Sequence, residues 1–585
     1  MVHELIHWQD FAIFAFSLLL SVGTGVYHAV RSHFLIKNGG TDSTTAKDEY
    51  MLGGRKLPKL PVALSLLTTF LSGILMLGVP AEMFQRGSHI WLNFVIGAAS
   101  SAVTALVFLP FFYKMHSTCL HTFFIHRFKS KLLRQSFSLI FLFFTVVYMS
   151  VVIYAPSVAL SSVLGIEKWM LILTFGLTTT AYTTIGGLKA VVWTDAIQAI
   201  MMYTGVIALI VKSLNHPQVG GLERVLSIAW DTNRITDLFQ VSPTVAQHNS
   251  LWINIFSGTI TWLASFGVNQ LAIQRYSSLP TLGDAKTIIY TTIFPFIILC
   301  SIVSFVGFLA LAYFYNCNPL ETGQITDKDH LTVLFALNVL SSTPGLFGLY
   351  MAAILSATLS TLSSGINSSA AAIYEDFVQY NLENVSDSAS TTINRILVLT
   401  VGILSTVLAF CAGPLGGTLT VCISVMGAVS GPMVAIFVIA LFWPQAGVKS
   451  TFISFVSSNL IMIFVYIFNY FETPYSELYM PTNTTAIGCG HSNFSIHIPP
   501  DYDAHFGRPG TTFLSRISTY GYSGCGFVIM MAIGVPLIYI LKEEPIKNID
   551  HFTWKGRHLP MPDNEAPLPG ELKNKHEHEL LLLKH

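Results

Sequence analysis

Apolar residues run along this chain in long blocks, not in the alternation of a half-buried sheet. Gln135–Ile166, Thr287–Leu320 and Leu331–Tyr374 contain no Lys, Arg, Asp or Glu, and Ile396–Val448 is a charge-free run long enough for two helices. A helix that crosses a bilayer needs about 20 predominantly apolar residues. On that measure the pattern predicts thirteen spans, at 10–31, 60–84, 92–113, 135–162, 168–186, 190–212, 250–276, 286–316, 346–378, 393–412, 417–443, 449–471 and 516–541. Gly413-Pro414 marks the turn between the tenth and eleventh. Short alternating segments with regular turns are absent from the pattern, which excludes a β-barrel. The expected class is an all-α, multi-pass membrane protein.

Composition agrees with the pattern. Of 585 residues only 11% are charged, 31 Lys+Arg against 31 Asp+Glu, while 52% are hydrophobic. A soluble domain carries about 25% charged residues, so a soluble enzyme is disfavoured. The balanced net charge leaves no basic footprint for nucleic acid. The seven cysteines (119, 300, 317, 411, 422, 489 and 525) show no paired metal-ligand spacing. Nucleophile-elbow, zinc-protease and phosphate-loop motifs are absent, so neither an enzyme nor a nucleotide-driven pump is expected. Secondary transport is the natural reading, with the lipid bilayer as surroundings.

Short-loop charges set the orientation. Lys37, Lys47, Arg55, Lys56 and Lys59 follow span one, and Lys114, Arg127, Lys129, Lys131 and Arg134 follow span three. Both loops belong inside. The N-terminus is then extracellular, the tail 546–585 cytosolic and the loop 472–515 extracellular. The sequons at Asn483 and Asn493 fall in that outer loop, as used glycosylation sites must. Two further matches, at Asn367 and Asn384, fall in a span and an inner loop and read as chance. Cys317 and Cys489 lie in outer loops and are able to pair, with Cys525 as a competing partner and free thiols as the plain alternative.

Three segments carry candidate chemistry. Span two places Thr68, Thr69, Ser72 and Gly73 at its middle and reaches Gly78 and Pro80. A break in such a helix exposes carbonyls that coordinate a cation, whereas small residues also serve tight helix packing. Span nine is crowded with hydroxyls: Ser356, Thr358, Ser360, Thr361, Ser363, Ser364, Ser368 and Ser369. Hard cations take oxygen ligands. Ser360 and Thr361 lie about 100° apart on a helix, and the Ala357 carbonyl is one turn below Thr361. The third segment, Gly186-Gly187 followed by Asp195, puts an ionisable residue just inside span six.

With GGLKAVVWTDAIQ (186–198), GVNQLAIQRYSS (267–278) and ATLSTLSSGINS (357–368), the chain resembles the sodium/solute symporter family over about residues 8–545. VALSLLTTFLSGILMLGVPAE and VVIYAPSVAL (151–160) are similar to its multivitamin, monocarboxylate and iodide branch. The resemblance implies a LeuT-type fold of two inverted five-helix repeats, about 60–212 and 250–443, within a symporter domain spanning 1–545. A second break near Ser265-Phe266-Gly267 in span seven would match the one in span two.

The resemblance also implies roles. The sodium site would take carbonyls of Thr68, Leu71 and Ala357 and hydroxyls of Ser360 and Thr361. Asp195 would stand on the sodium exit route, with Thr69, Ser363 and Ser364 near a second sodium. Phe70 and Tyr154 match residues of the substrate region. Sugar carriers have Asn where this chain has Phe70 and Trp262, so a sugar is disfavoured. Leu75 replaces a Gln of the iodide carrier, and Leu71 a Gln of multivitamin carriers. The expectation is a plasma-membrane Na⁺ symporter of a small organic anion. A sodium-gated sensor on the same scaffold, or a symporter of iodide or a neutral solute, is the alternative.

Overall fold

The computed structural model describes residues 6–37, 46–115, 117–239, 244–325, 327–379, 386–413, 418–474, 480–489, 510–544, 546 and 549–557. Pro414, Asn384, Asn493 and the tail from 558 onward, all named above, lie outside the described residues. Among the described residues there is no strand. The helices are α1 (Trp8–Lys37), α2 (Ala46–Leu52), α3 (Lys59–Phe70), α4 (Gly73–Arg86), α5 (His89–Lys114), α6 (Thr122–Phe128), α7 (Lys131–Leu164) and α8 (Lys168–Leu214). There follow α9 (Gly221–Asp231), α10 (Leu251–Gly267), α11 (Gln270–Tyr276), α12 (Leu282–Phe314), α13 (Leu331–Leu340) and α14 (Leu346–Val378). The last four are α15 (Asp387–Ala409), α16 (Thr418–Phe442), α17 (Val448–Glu472) and α18 (Tyr522–Leu541).

Among the described residues, 10 helices are long and apolar enough to cross a membrane, and up to 12 if each of two bent pairs is one span. The bent pairs are α3 with α4, at 55°, and α10 with α11, at 49°. Spans five and six fall within one element, the 47-residue α8. As one rod it would be about 70 Å long, against a hydrocarbon core of about 30 Å. It is interrupted at Gly187, whose φ of 59° and ψ of −160° are not helical. Only glycine reaches that conformation cheaply. A Cβ there would also stand 2.5 Å from the Tyr50 carbonyl oxygen. Tyr50 of α2 in turn donates its hydroxyl to the Thr184 carbonyl at 3.0 Å, so α2 braces the interruption.

α14 is the central column. It packs against α8, α7, α1, α15 and α3, and its hydroxyl residues from Ser356 to Ser369 are all buried. The outward surface is the reverse: Leu139, Phe143, Phe294, Leu460 and Ile540 are each more than half exposed. That is an apolar coat suited to lipid, with polar groups kept inside. The C-terminal end of α14 is pinned by Asp376, which accepts from Arg134 Nε at 2.5 Å and pairs with His121 Nδ1 at 2.6 Å. Glu543, just beyond α18, accepts from the first amides of α17, Lys449 at 2.9 Å and Ser450 at 2.8 Å. Burial pushes its carboxyl up, but those amides and the Ser450 hydroxyl prevail and hold it below the usual range.

Short elements were not foreseen from hydropathy because they do not cross. The ten residues of α13 are almost wholly buried, and Thr332 donates to the Leu77 carbonyl of α4 at 2.8 Å. Cys317 and Cys489 form a disulfide, while Cys525 is free. Asn483 is exposed.

The Gly187 geometry yields a stability test. Gly187→Ala should lower the melting temperature of the detergent-purified protein, by the equivalent of about 1–3 kcal/mol for forcing that backbone conformation. Gly23→Ala, where a Cβ would meet nothing within 4 Å, serves as the matched control and should leave it unchanged or raised. Equal melting of both variants would show that the interruption tolerates a side chain.

Candidate functional site

α3 stops at Phe70 because Leu71 leaves helical geometry, with φ −103° and ψ 84°; Ser72 is extended and α4 restarts at Gly73. Glycine is required there by contact: a Cβ at Gly73 would come within van der Waals contact of Thr358, Pro156 and the Ile354 carbonyl. The second interruption lies at Val268 and Asn269, one or two residues beyond Ser265-Phe266-Gly267. Asn269 caps α11 by accepting from the Leu271 amide at 2.9 Å. A helix end leaves carbonyls without intrahelical partners, and inside a membrane they must find others.

α14 supplies them at the first break. Thr361 Oγ1 donates to the Thr69 carbonyl at 3.2 Å and approaches the Thr68 carbonyl at 3.5 Å. Ser360 Oγ donates to Thr68 Oγ1 at 2.8 Å. Ser363 Oγ donates back to the Ser360 carbonyl at 3.0 Å. Thr68, Leu71, Ala357, Ser360 and Thr361 are all buried. The result is a dense set of neutral oxygens between a broken helix and an intact one, the donor chemistry a hard monovalent cation takes.

One turn back along α3, and one turn on along α14, the site becomes ionic. Asp195 of α8 and Arg275 of α11 are both fully buried and pair at 3.1 Å through Asp195 Oδ2. Ser65 Oγ donates to the same carboxylate oxygen at 2.6 Å and accepts from Arg275 Nε at 2.8 Å. Ser364 Oγ accepts from Arg275 Nη2 and lies 3.1 Å from Thr69 Oγ1. Asp195 Oδ1 is buried with no hydrogen-bond partner among the described residues. Four helices, α3, α8, α11 and α14, thus meet at one charge pair. Arg275 lies within the quoted motif, but sequence reasoning gave it no role. Its signal was available: it is the only charged residue between Asp237 and Asp284, and a lone intramembrane charge implies a buried partner. Ser65 gave no such signal.

The aromatic residues lie on the other side of the breaks. The Phe70 ring meets Phe266 at 5.0 Å, and Phe266 stacks on Trp262 at 5.7 Å. Trp262 rests on Gly97, where no Cβ would fit, and donates Nε1–H to Asn93 Oδ1 at 2.8 Å. Leu71 and Leu75 line a small apolar cavity with Met76, Val79, Phe94 and Leu299. Tyr154 stands apart from this group. It sits on α7 with its hydroxyl directed at Gly413, beyond α15, 3.0 Å from where a Cβ would stand. The structure therefore brings Phe70 and Trp262 into one aromatic group, and Leu75 beside it, but not Tyr154.

Residues 50–457, which include both breaks and the charge pair, match the Sodium:solute symporter family. The chain belongs to that family. Among its relatives, the sodium-coupled monocarboxylate transporter 2 of Bos taurus is 32% identical over 544 residues, 92% of this chain and 85% of the relative. The sodium-coupled monocarboxylate transporter 1 of Homo sapiens is 31% identical, over 94% of this chain and 92% of its own. The sodium-dependent multivitamin transporter of Oryctolagus cuniculus is 34% identical, over 78% and 69%. A solved Na⁺-coupled sialic acid symporter, substrate-bound and outward-open, superposes with a TM-score of 0.72 at 20% identity, covering 92% of this chain and 99% of its own. The fold is thus all-α and multi-pass, of the LeuT type. As a member of this sodium:solute symporter family, the protein couples solute movement to Na⁺.

The charge pair can be tested apart from transport. Removing one partner of a buried pair leaves the other charge uncompensated, which costs about 3–5 kcal/mol. Asp195→Asn and Arg275→Met should each lower the melting temperature of the purified protein, and the double variant should lose less than the sum. Strictly additive losses in this cycle would count against a direct pair.

Proposed function

We propose that the protein is a plasma-membrane Na⁺ symporter that imports a small organic carboxylate. The observation that carries this is the buried oxygen cluster where the broken end of α3 meets the hydroxyl face of α14. In this reading the carbonyls of Thr68, Leu71 and Ala357 and the hydroxyls of Ser360 and Thr361 hold Na⁺. Hydroxyls that bridge the two helices directly, such as Ser360 to Thr68 at 2.8 Å, rotate to turn lone pairs toward the ion. The ion then draws α3 and α14 together from both sides. Because that joint lies at the break, the ion favours one arrangement of α4 over another, which is what coupling requires.

The substrate would sit by the aromatic group of Phe70, Trp262 and Phe266, next to the apolar cavity at Leu71 and Leu75. An apolar body suits that lining, and a carboxylate suits the N-terminal end of α4. Sugar hydroxyls would find few partners there. The names of the monocarboxylate and multivitamin relatives support a carboxylate. Asp195, with Thr69, Ser363 and Ser364, would receive Na⁺ on its way inward. Its Oδ1, which has no hydrogen-bond partner among the described residues, supports a cation-accepting role while Oδ2 stays with Arg275.

The same reading includes the topology. Taking Gly187 as the turn between two crossings brings the spans to thirteen, with the N-terminus outside, the tail inside and repeats at about 60–212 and 250–443. Asn483 and Asn493 are then glycosylated, a proposal that the exposure of Asn483 supports.

The decisive test is tracer uptake into expressing cells with Na⁺ or choline outside. Lactate, nicotinate, biotin, pantothenate, iodide and glucose would be compared side by side. Sodium-dependent uptake of one or more carboxylates, and of neither glucose nor iodide, is the expected result. Uptake of none, from protein shown at the surface, would favour a sodium-gated sensor.

The ion site has its own test. Ser360→Ala/Thr361→Ala should raise the Na⁺ concentration for half-maximal uptake by about tenfold, the equivalent of losing roughly 1.4 kcal/mol of ligation, with surface amount unchanged. An unaltered Na⁺ dependence would remove these hydroxyls from the site.

A further inference from the structure

α9 (Gly221–Asp231) carries three stripes along its length. Val225, Ile228 and Ala229 are buried against the protein. Leu222, Leu226 and Trp230 recur every four residues and are 51%, 43% and 59% exposed. Glu223, Ser227 and Asp231 recur at the same spacing one position on, and all three are exposed. Residues four apart share a helix face, so an exposed apolar stripe runs beside an exposed polar one. A helix with water on its whole outer side needs one apolar stripe, the one facing the core; α9 has two. Its 11 residues are too few to cross a bilayer, which takes about 20.

Both ends of the helix are fastened. Asn233, at φ 61°, turns the chain out of α9, in left-handed backbone that Asn tolerates better than most side chains. Arg224 donates Nη1–H to the Gln218 carbonyl, to the Val219 carbonyl at 2.9 Å and to the Ala312 carbonyl of α12 at 3.2 Å. The Arg234 amide donates to the Ala229 carbonyl at 3.0 Å, and Arg234 Nε–H to the Phe84 carbonyl of α4 at 2.6 Å. These bonds fix the rotation of α9, so the Leu222, Leu226 and Trp230 stripe is held outward.

α9 lies where α8 and α12 end. His216, just after α8, packs on Tyr313 of α12 at 5.3 Å. Ile200, Ile207 and Val211 of α8 are exposed, so the apolar coat runs along α8 to that end. Trp8 of α1 is at the same end: Asp10 accepts from the Gly345 amide at 3.1 Å, and Lys212 of α8 donates to Thr343 at 2.9 Å. Trp252 of α10 is there too, four residues past His248, which bonds Arg86 of α4 close to Phe84. Trp8, Trp230 and Trp252 are each more than half exposed, and tryptophan concentrates where lipid meets water. We propose that α9 is an interfacial helix. Its Leu222, Leu226 and Trp230 stripe seats in the headgroup–acyl boundary of the leaflet at that end, with Glu223, Ser227 and Asp231 in water. A second copy of the chain fits this stripe less well. Three side chains fall far short of the roughly 20–30 residues a side of a stable protein interface, and pairing two copies would bring the acidic stripes together. Through Arg234 the seat also holds the end of α4 at a fixed depth in the bilayer.

The test uses the full-length protein in phosphatidylcholine proteoliposomes. Leu226→Cys or Ser227→Cys, each in a Cys411→Ser/Cys525→Ser background that removes the exposed and the half-buried free thiol, carries a fluorescent label. Both positions are exposed, so neither label disturbs the packed side of the helix. A lipid with a nitroxide on its upper acyl chain should quench the label at 226 about threefold more than the label at 227, and aqueous iodide should reverse the order, as expected for a face seated about 5–10 Å into the boundary. Iodide quenching of both labels alike, with no nitroxide quenching at 226, puts the stripe in water and overturns the proposal. Nitroxide quenching of both alike puts the polar stripe in lipid and overturns it as well. A label at 226 shielded from both quenchers marks a protein neighbour and also overturns it; crosslinking of Leu226→Cys copies to one another would then identify that neighbour as a second copy.

Discussion

A helix that breaks inside a bilayer must have its freed carbonyls satisfied by protein, because lipid offers nothing. The architecture around α14 follows from that constraint. α3 ends at Phe70 in the middle of a span, where the Thr361 hydroxyl meets the Thr69 carbonyl and the Ser360 hydroxyl meets the Thr68 hydroxyl. A hydroxyl-rich helix is poorly suited to face lipid, so α14 is buried on every side, and α1, α3, α7, α8 and α15 surround it. The break, the polar helix that serves it and the central place of that helix are one requirement seen at three scales.

The same argument governs the charges. A carboxylate at the depth of Asp195 is costly unless paired. Arg275, from the short helix beyond the second break, pairs with it. Ser65 bridges the guanidinium and Oδ2, and Ser364 and the Leu271 carbonyl accept from the other guanidinium nitrogens. The second break is what makes this reach available: α11 is turned 49° from α10, which brings Arg275 to α3 and α8. Two breaks that look alike in sequence therefore do different work. One presents oxygens, and the other delivers a cation to hold the carboxylate.

Much of this was legible in the chain. Charge-free runs mark the spans because hydrocarbon excludes charge. The hydroxyl crowding of 356–369 marks a buried polar helix because nothing else justifies it in lipid. The glycine and small residues at 72–73 mark the first break. What stayed hidden depends on partners that hydropathy does not encode. Nothing in the neighbourhood of Ser65 announces that it bridges Asp195 and Arg275. Tyr154 shares a motif with the substrate region but is carried by α7 toward Gly413, since one helical turn decides which neighbour a side chain meets. α13 is too short to read as a span, yet it is as buried as one because it wedges against α4. Gly187 reads as a helix end, while its cause, the close approach of Tyr50, lies more than a hundred residues away.

The position of α4 joins these parts. Its 14 residues form a rod of about 21 Å. One end begins at the break, packed on Thr358 and Pro156. The other ends at Arg86, tied through Arg234 to the segment that the Cys317–Cys489 disulfide fastens. A rod held at both ends transmits displacement rather than absorbing it. In the proposed reading, oxygens that rearrange around a cation at Thr68 and Ser360 would therefore bear on the geometry at Glu82 and Arg86. The reciprocity of linkage then requires that whatever shifts the far end of α4 alter the affinity for Na⁺ at the break, and be altered by Na⁺ to the same degree.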